Sequence, residues 1–341
     1  MNNTLTALMG VKVGHSTHLD KLTGCTFVLL DKPCPVAYKS YGGAVGSFNT
    51  EMLQNGMSFY KRRGLFVAGG SLTGLMSASE IMQRMIDNRL VPTQFKIYNP
   101  SISGAIVFDL GTRIEQYNPK YGKEAFDNLT SNPVQNGNVG AGTGVSVGKF
   151  HYLQNGEKIG AMKSGIGNAK VSMGNGGIIA AMSVVNAVGN VVKPDGTILA
   201  GNRDEKKKFK EFDDLVHFVT TGETNTTITI VGTNIKLRSR EDYERIAHLA
   251  AQGQIRAIHP VNISIDGDIV FVFSTEEIDP PFNHKKDWFE TPNWPLFTID
   301  IIGHLAAKAV QQSIYDACES AESITFEEAY KGIIPSCKDY K

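Results

Sequence analysis

Glycine, gathered in short tracts against apolar runs, is the feature that most restricts how this chain can fold. Tyr41-Gly42-Gly43, Ala68-Gly69-Gly70-Ser71, Gly140-Ala141-Gly142-Thr143-Gly144 and Gly165-Ile166-Gly167 each adjoin a hydrophobic stretch. Such tracts form tight turns where one backbone lies close to another or to a ligand. Between them, alternation predicts strands over Thr26–Leu30, Ala105–Phe108, Ile178–Val185, Thr227–Val231 and Asp268–Phe273. Helical spacing predicts helices over Ser77–Leu90 (Ile81, Met82, Met85 and Ile86 on one side), from Ser239 through Ile246, Leu249 and Ala250, and over Ile299–Ser320. Strands and helices mix without strict alternation and no repeat is visible. The expected fold is therefore a layered α/β (α+β) sandwich, neither doubly wound nor a barrel.

With 341 residues, 41% hydrophobic and 20% charged, the chain can bury a sizeable core. Thirty-four basic residues balance 34 acidic ones, so no net field favours nucleic acid or anionic lipid. Neither partner is expected. The most apolar stretch, Gly177–Val192, is interrupted by Asn186 and Asn190 and is short for a span of about 20 residues. The beginning, Met1 to Leu5, lacks the basic and apolar regions of a secretory signal, so a cytoplasmic protein is expected. Cys25, Cys34, Cys318 and Cys337 show no Cys-x-x-Cys spacing and read as reduced thiols. Val145 stands where a dinucleotide loop opening at Gly140 needs glycine, and His15 and His18 lack a further ligand nearby. No cofactor and no metal are expected. Lys206, Lys207, Lys208 and Lys210 stand among acids in Gly201–Asp214, which reads as a solvated linker.

That linker lies a few residues before Thr-Asn-Thr-Thr-Ile-Thr-Ile-Val, positions 224–231. Alternation makes Thr226 the first residue of a half-buried strand, a rigid mount for a nucleophile, although threonine is also simply a good strand former. A threonine hydroxyl needs a base, and a free α-amine on the same residue, pKa about 7.7–8.0, can supply one. An internal threonine gains that amine only by cutting the bond before it. Asn186 interrupts an apolar run and reads either as a core amide bonded to backbone or as a functional group. Lys163, before a turn, is by position a surface lysine. Asp266-Gly267, between Ile263–Ile265 and Ile269–Phe271, predicts a two-residue hairpin turn.

Nine blocks, in order along nearly the whole chain, resemble the DmpA family of autoprocessing N-terminal-nucleophile hydrolases, which includes L-aminopeptidase/D-esterases, β-peptidyl aminopeptidases and 6-aminohexanoate-oligomer (nylon) hydrolases. They are Val13-Gly14-His15-Ser16-Thr17, Gly24-Cys25-Thr26, Gly69 to Leu75, Phe108-Asp109-Leu110, Gly140 to Gly144, Lys163 to Gly167, Val185 to Gly189, Asn225-Thr226-Thr227 and Asp266-Gly267-Asp268. The resemblance implies a four-layer αββα sandwich of the DmpA/ornithine-acetyltransferase type. It also implies a single domain over 1–341 cut between Asn225 and Thr226 into 1–225 and 226–341, and assembly into tetramers of the two-chain unit or larger. Thr226 would be the nucleophile on a small peptide or amide substrate, Asn186 the oxyanion-hole side chain, Lys163 an assisting cation, and Asp266 with Asp268 the groups that orient amine and hydroxyl.

The sequence departs from the family at Ser164 within the glycine tract, at Gly232 and Asn234 after the nucleophile, and at Ser103-Gly104. All four departures are expected near the pocket, which leaves specificity open. Asp279–Leu296, with two tryptophans and four prolines, reads as an insertion serving as interface or lid. An acyltransferase of the ornithine acetyltransferase type, and an inactive binding protein of the same fold, are the alternative functions.

Overall fold

The computed structural model of the single uncut chain describes residues 2–90, 97–150, 160–174, 176–204, 206–214, 225–280, 298–326 and 332–340. In chain order the first half forms β1 (Val11–His18), β2 (Thr23–Ser40), β3 (Ser47–Phe48), β4 (Lys61–Ala68), α1 (Ser77–Asp87), β5 (Ile102–Ile106), α2 (Lys120–Asp127), β6 (Ser146–Val147) and β7 (Met162–Lys163). There follow β8 (Ile166–Gly174), β9 (Gly177–Asn186), β10 (Asn190–Val192), β11 (Ile198–Ala200), β12 (Thr226–Ile235), α3 (Arg240–Ala250), α4 (Gln252–Ala257), β13 (Ile258–His259), β14 (Ile269–Ile278), α5 (Thr298–Glu319), β15 (Ile324–Phe326) and β16 (Gly332–Ile334).

The long strand β2 belongs to two layers. Its first half pairs with β1 on one side and β4 on the other, extending through β5 to β3. After an irregularity between Leu29 and Cys34, its second half pairs with β14, which leads on through β12 and β9 to β8. Side chains alternate across each layer. Val28, Leu30, Leu65 and Val67 meet Met182, Val184, Ile228, Ile230, Phe271 and Phe273 in one core between the two sheets. The opposite faces take helices. Phe27, Leu29, Phe66 and Ile102 pack on Ile81 and Met85 of α1 and on Ala125 and Phe126 of α2. Ile179, Val185, Val231, Val270 and Val272 pack on α3, α4 and α5 through Ile246, Ala257, Ile302, Val310 and Ile314. The result is the four-layer αββα sandwich. Each fully buried aromatic or branched side chain contributes about 1.5–3 kcal/mol.

Helix α5 settles low on β8 because Gly167 lacks a side chain: a Cβ there would stand 2.0 Å from the Ser313 carbonyl oxygen. That contact explains one glycine of the Lys163–Gly167 block. The threonines of β12 likewise have a packing role. Thr229, on the helical side, shares its hydroxyl with Ser183 (2.9 Å) and takes Gln254 Nε2 (3.2 Å), while Ser183 reaches Ser313 (2.7 Å). All ten residues of β12 are buried, paired antiparallel to β9 and parallel to β14.

Three expectations change. Asp266-Gly267 is no hairpin: β14 runs parallel to β12 and antiparallel to β2, and the Asp266 N–H closes a turn onto the Ile263 carbonyl at 3.0 Å. Gly232 and Asn234 lie far along β12 from Thr226, about 20 Å or more at a rise of about 3.3 Å per residue. There Gly232 makes room for Leu8 and the Phe273 ring, and Asn234 bonds the Ile178 N–H and the Gly176 carbonyl. Ser103 serves the buried Arg62, accepting from its Nε at 2.7 Å. The linker is also more anchored than its composition implies. Asp204 accepts the Lys206 and Lys208 N–H groups and pairs with Lys210 at 3.7 Å, and Asn190 holds the Lys210 carbonyl. The insertion at Asp279–Leu296 lies, beyond Pro280, outside the described residues. Among those described, no helix is long and apolar enough to cross a membrane.

Candidate active site

Register brings the first two groups together. Thr226, opening β12, sits directly opposite Asn186, which closes β9. Thr226 shares strand parity with Ile228 and Ile230, and Asn186 with Met182 and Val184, all of which face the core between the sheets. Hydroxyl and amide therefore project to the same side. The Asn186 amide is fixed by its partners: Oδ1 accepts from the Ser146 N–H (3.2 Å) and Lys149 Nζ (2.7 Å), and Nδ2 donates to the Phe108 carbonyl (2.8 Å). Both readings of this residue thus have support. It is a satisfied core amide, and one Nδ2 hydrogen is left for a further acceptor.

The other flank comes from β14. Asn225 bridges Asp266 in parallel, in the register that continues as Ile228 opposite Ile269, so Thr226 falls beside Gly267. A Cβ on Gly267 would stand 2.8 Å from Thr226 Oγ1; the missing side chain is what lets the hydroxyl lie against this strand. Asp266 and Asp268 flank that point. Asp268 accepts the Thr227 N–H at 2.5 Å and the Asn262 N–H at 2.9 Å. Asp266 accepts the Ile263 N–H at 3.1 Å through Oδ2, and its Oδ1 is buried without a hydrogen-bond partner among the described residues. Burial pushes both carboxyls above the ordinary range, and for Asp268 the like charge of Asp266 adds to the push.

The two lysines part company. Lys163, fully buried in β7, donates to the carbonyls of Gly142 (3.1 Å) and Ser164, and no hydrogen bond joins its amine to Thr226, Asn186 or the aspartates. Burial pushes that amine down to about 7. Lys149 instead reaches the site, donating to the Asn186 carbonyl at 2.9 Å as well as to its Oδ1. Enclosure of its amine, then the nearby charge of Arg113, lowers its pKa well below normal, against the pull of Asp266, Asp109 and Asp268. The sequence held one usable signal for Lys149: it stands shortly after the Gly140–Gly144 tract. Asp109 also joins the surroundings. It accepts from Thr23 Oγ1 (2.6 Å) and the Gly70 N–H (3.2 Å), is pushed up to about 6 by burial, and follows the Phe108 carbonyl that holds Asn186. Ser164, the one departure that does lie here, donates to the Val185 carbonyl at 2.5 Å.

Other candidates sit elsewhere. His18 pairs with Glu124 at 2.8 Å and stacks on Tyr121, and His15 bonds Thr26 at 2.9 Å. All four cysteines are buried. A surface cavity of about 840 Å³ at Asn190, Lys193, Ile255, His259 and Gln311 includes none of the residues grouped around Thr226.

Comparison with known proteins shows the family. The model of peptidase family S58 matches residues 3–331. An uncharacterised aminopeptidase of Mycobacterium leprae is 27% identical, the match covering 98% of this chain and 94% of the relative. A 6-aminohexanoate-oligomer endohydrolase of Paenarthrobacter ureafaciens is also 27% identical, over 80% of this chain and 75% of the relative. Among solved structures, the L-aminopeptidase D-Ala-esterase/amidase of Ochrobactrum anthropi superimposes with a TM-score of 0.70 at 19% identity, covering 98% of this chain and 90% of that one. With fold, blocks and whole-length match in agreement, the chain belongs to peptidase family S58.

Proposed function

We propose that this peptidase-family protein cuts itself between Asn225 and Thr226 and then hydrolyses small peptide or amide bonds through an acyl-enzyme on Thr226. One observation carries the reading: β9, β12 and β14 converge so that a threonine at a strand start has Asn186 opposite it on one side and, on the other, Gly267 against its hydroxyl, with the buried Asp266 and Asp268 before and after that glycine.

In the first step Thr226 Oγ1 attacks the Asn225 carbonyl carbon. The new C–O bond replaces the C–N bond, and the hydroxyl proton ends on the Thr226 nitrogen. Water then adds to the ester, leaving a carboxylate on Asn225 and the hydroxyl back on Thr226. An ionised Asp268 or Asp266 is the local acceptor through which the proton leaves oxygen. Cutting also opens the site: Thr226 is 3% exposed in the uncut chain, which leaves a substrate no path to its hydroxyl. In turnover the freed amine acts as base, the remaining Asn186 Nδ2 hydrogen meets the oxyanion, and Lys149 holds Asn186 in place. Lys163 acts indirectly, seating the carbonyls of Gly142 and Ser164 beside the strand that carries Asn186. One relative is named an aminopeptidase and another a 6-aminohexanoate-oligomer endohydrolase; the first name supports a short substrate with a free amino end and the second an amide-linked oligomer. The acting unit in this reading is a homo-oligomer of two-chain units.

Denaturing electrophoresis with terminal sequencing tests the proposal. Wild type should yield two fragments beginning at Met1 and Thr226, whereas Thr226→Ala should stay at 37.1 kDa and be inactive on aminoacyl p-nitroanilides. Wild-type protein that remains one chain, yet hydrolyses these substrates, rules the mechanism out.

A further inference from the structure

Self-cleavage puts negative charge on the oxygen of the Asn225 carbonyl, and in the uncut chain that oxygen already has a donor. The Gly267 N–H points at it across 2.5 Å. The contact belongs to a short parallel bridge: the Asn225 N–H goes to the Ile265 carbonyl at 2.9 Å, and the Gly267 N–H returns to the Asn225 carbonyl. The attacking hydroxyl lies against the same glycine: a Cβ on Gly267 would stand 2.8 Å from Thr226 Oγ1. Asn186, the side-chain amide proposed for the turnover oxyanion, stands on the opposite flank in β9, with one Nδ2 hydrogen on the Phe108 carbonyl.

We infer that the Gly267 main-chain N–H is the oxyanion donor of the self-cleavage step, a role separate from that of Asn186 in turnover. The inference rests on the proposal that the chain cuts itself. Attack by Thr226 Oγ1 forms the C–O bond and moves the carbonyl electron pair onto oxygen, where the Gly267 N–H receives it. Collapse expels the Thr226 nitrogen, which takes the hydroxyl proton. A main-chain donor held by sheet pairing needs no reorganisation during the step, the condition under which such donors are most effective. Glycine meets both demands at this position. Its N–H is aimed by the register with Asn225, and its missing side chain admits the nucleophile, which a Cβ only 2.8 Å away and 2.9 Å from the Ala44 carbonyl would displace.

The test replaces that N–H by an oxygen of nearly the same size; the ester also weakens the Asp266 carbonyl, which accepts the Ala44 N–H at 2.8 Å, and a control ester accounts for such lost main-chain bonding. Translation with glycolic acid in place of Gly267 turns that amide into an ester, and the rate at which fragments 1–225 and 226–341 appear is followed in the full-length chain. Loss of one oxyanion donor should slow cutting about 100-fold or more. A second ester at Gly43, whose N–H bonds the Ile263 carbonyl at 3.3 Å in the same loop cluster, controls for lost main-chain bonding and should cut within a few-fold of wild type. Wild-type cutting by the Gly267 ester overturns the inference, as does equal slowing by both esters. Failure of the unaltered chain to cut would instead strike the underlying self-cleavage proposal.

Discussion

Lys163→Met tests whether this lysine is the enclosed group that its two carbonyl partners imply. Its amine has no exposed surface and is pushed by burial to about 7, against about 10.4 in an unfolded chain. Between those values the unfolded chain binds more protons, so this group makes stability rise with pH across the window and contributes fully only above the unfolded value. Holding the amine buried costs about 4 kcal/mol at about pH 7 and about 2 kcal/mol at about pH 9. Methionine removes that cost but leaves the Gly142 and Ser164 carbonyls without their donor, at about 1–3 kcal/mol each. The variant should therefore nearly match wild type at neutral pH and fall about 2 kcal/mol behind between about pH 7 and pH 9. Urea unfolding in the Thr226→Ala background keeps one chain, and the buried thiols and tyrosines cancel in the difference. Parallel stability curves would show that Lys163 is solvated and would refute the reasoning.

Lys149→Met leaves Asn186 its bonds to Ser146 and Phe108 but removes the Nζ bonds. The loss of two hydrogen bonds, about 0.5–1.5 kcal/mol each, should lower kcat about 5- to 100-fold with little change in KM; steady-state kinetics on the cut enzyme would show a KM effect alone if Lys149 only bound substrate. Asn234→Ala, which orphans the Ile178 N–H and the Gly176 carbonyl, should lower the urea midpoint by the equivalent of about 1–3 kcal/mol and leave kcat/KM unchanged. A changed kcat/KM would restore position 234 to the pocket.

The layers were legible because strand alternation and helical spacing are local properties. Ile228 and Ile230, or Ile81 and Met85, declare their faces without tertiary information. The proposed role of Thr226 as nucleophile was not legible this way, since Thr227, Thr229 and Thr233 look identical in sequence and are buried in the same strand. The ordered family blocks, not periodicity, distinguished it. Asp266-Gly267 misled because a glycine between polar residues and apolar runs signals a hairpin whichever strand those runs join, and here the partners are distant strands. Lys149 went unnoticed for the same reason. Only folding brings it to Asn186, through the Lys149 N–H on the Val188 carbonyl.

Two buried carboxyls side by side are an unfavourable arrangement in the uncut chain and would be a useful one after the proposed cut. In the uncut chain Asp266 and Asp268 face each other with main-chain N–H groups as their hydrogen-bond donors, and their raised pKa values mean that this local destabilisation grows as pH rises through them. Cutting creates an ammonium on Thr226 beside both, and an adjacent positive charge lowers a carboxyl pKa. The reaction should therefore ionise the pair as it frees the nucleophile, while the carboxylates in turn raise the amine. Infrared difference spectra between each protein and its Asp268→Asn variant, taken about two pH units above the ordinary carboxyl value near 4, can follow this. The uncut Thr226→Ala chain should show a protonated carboxylic acid band that the cut enzyme lacks. A band of equal intensity in both would mean that the new amine does not lie against the aspartates, and that they support the loop at 262–268 without touching the chemistry.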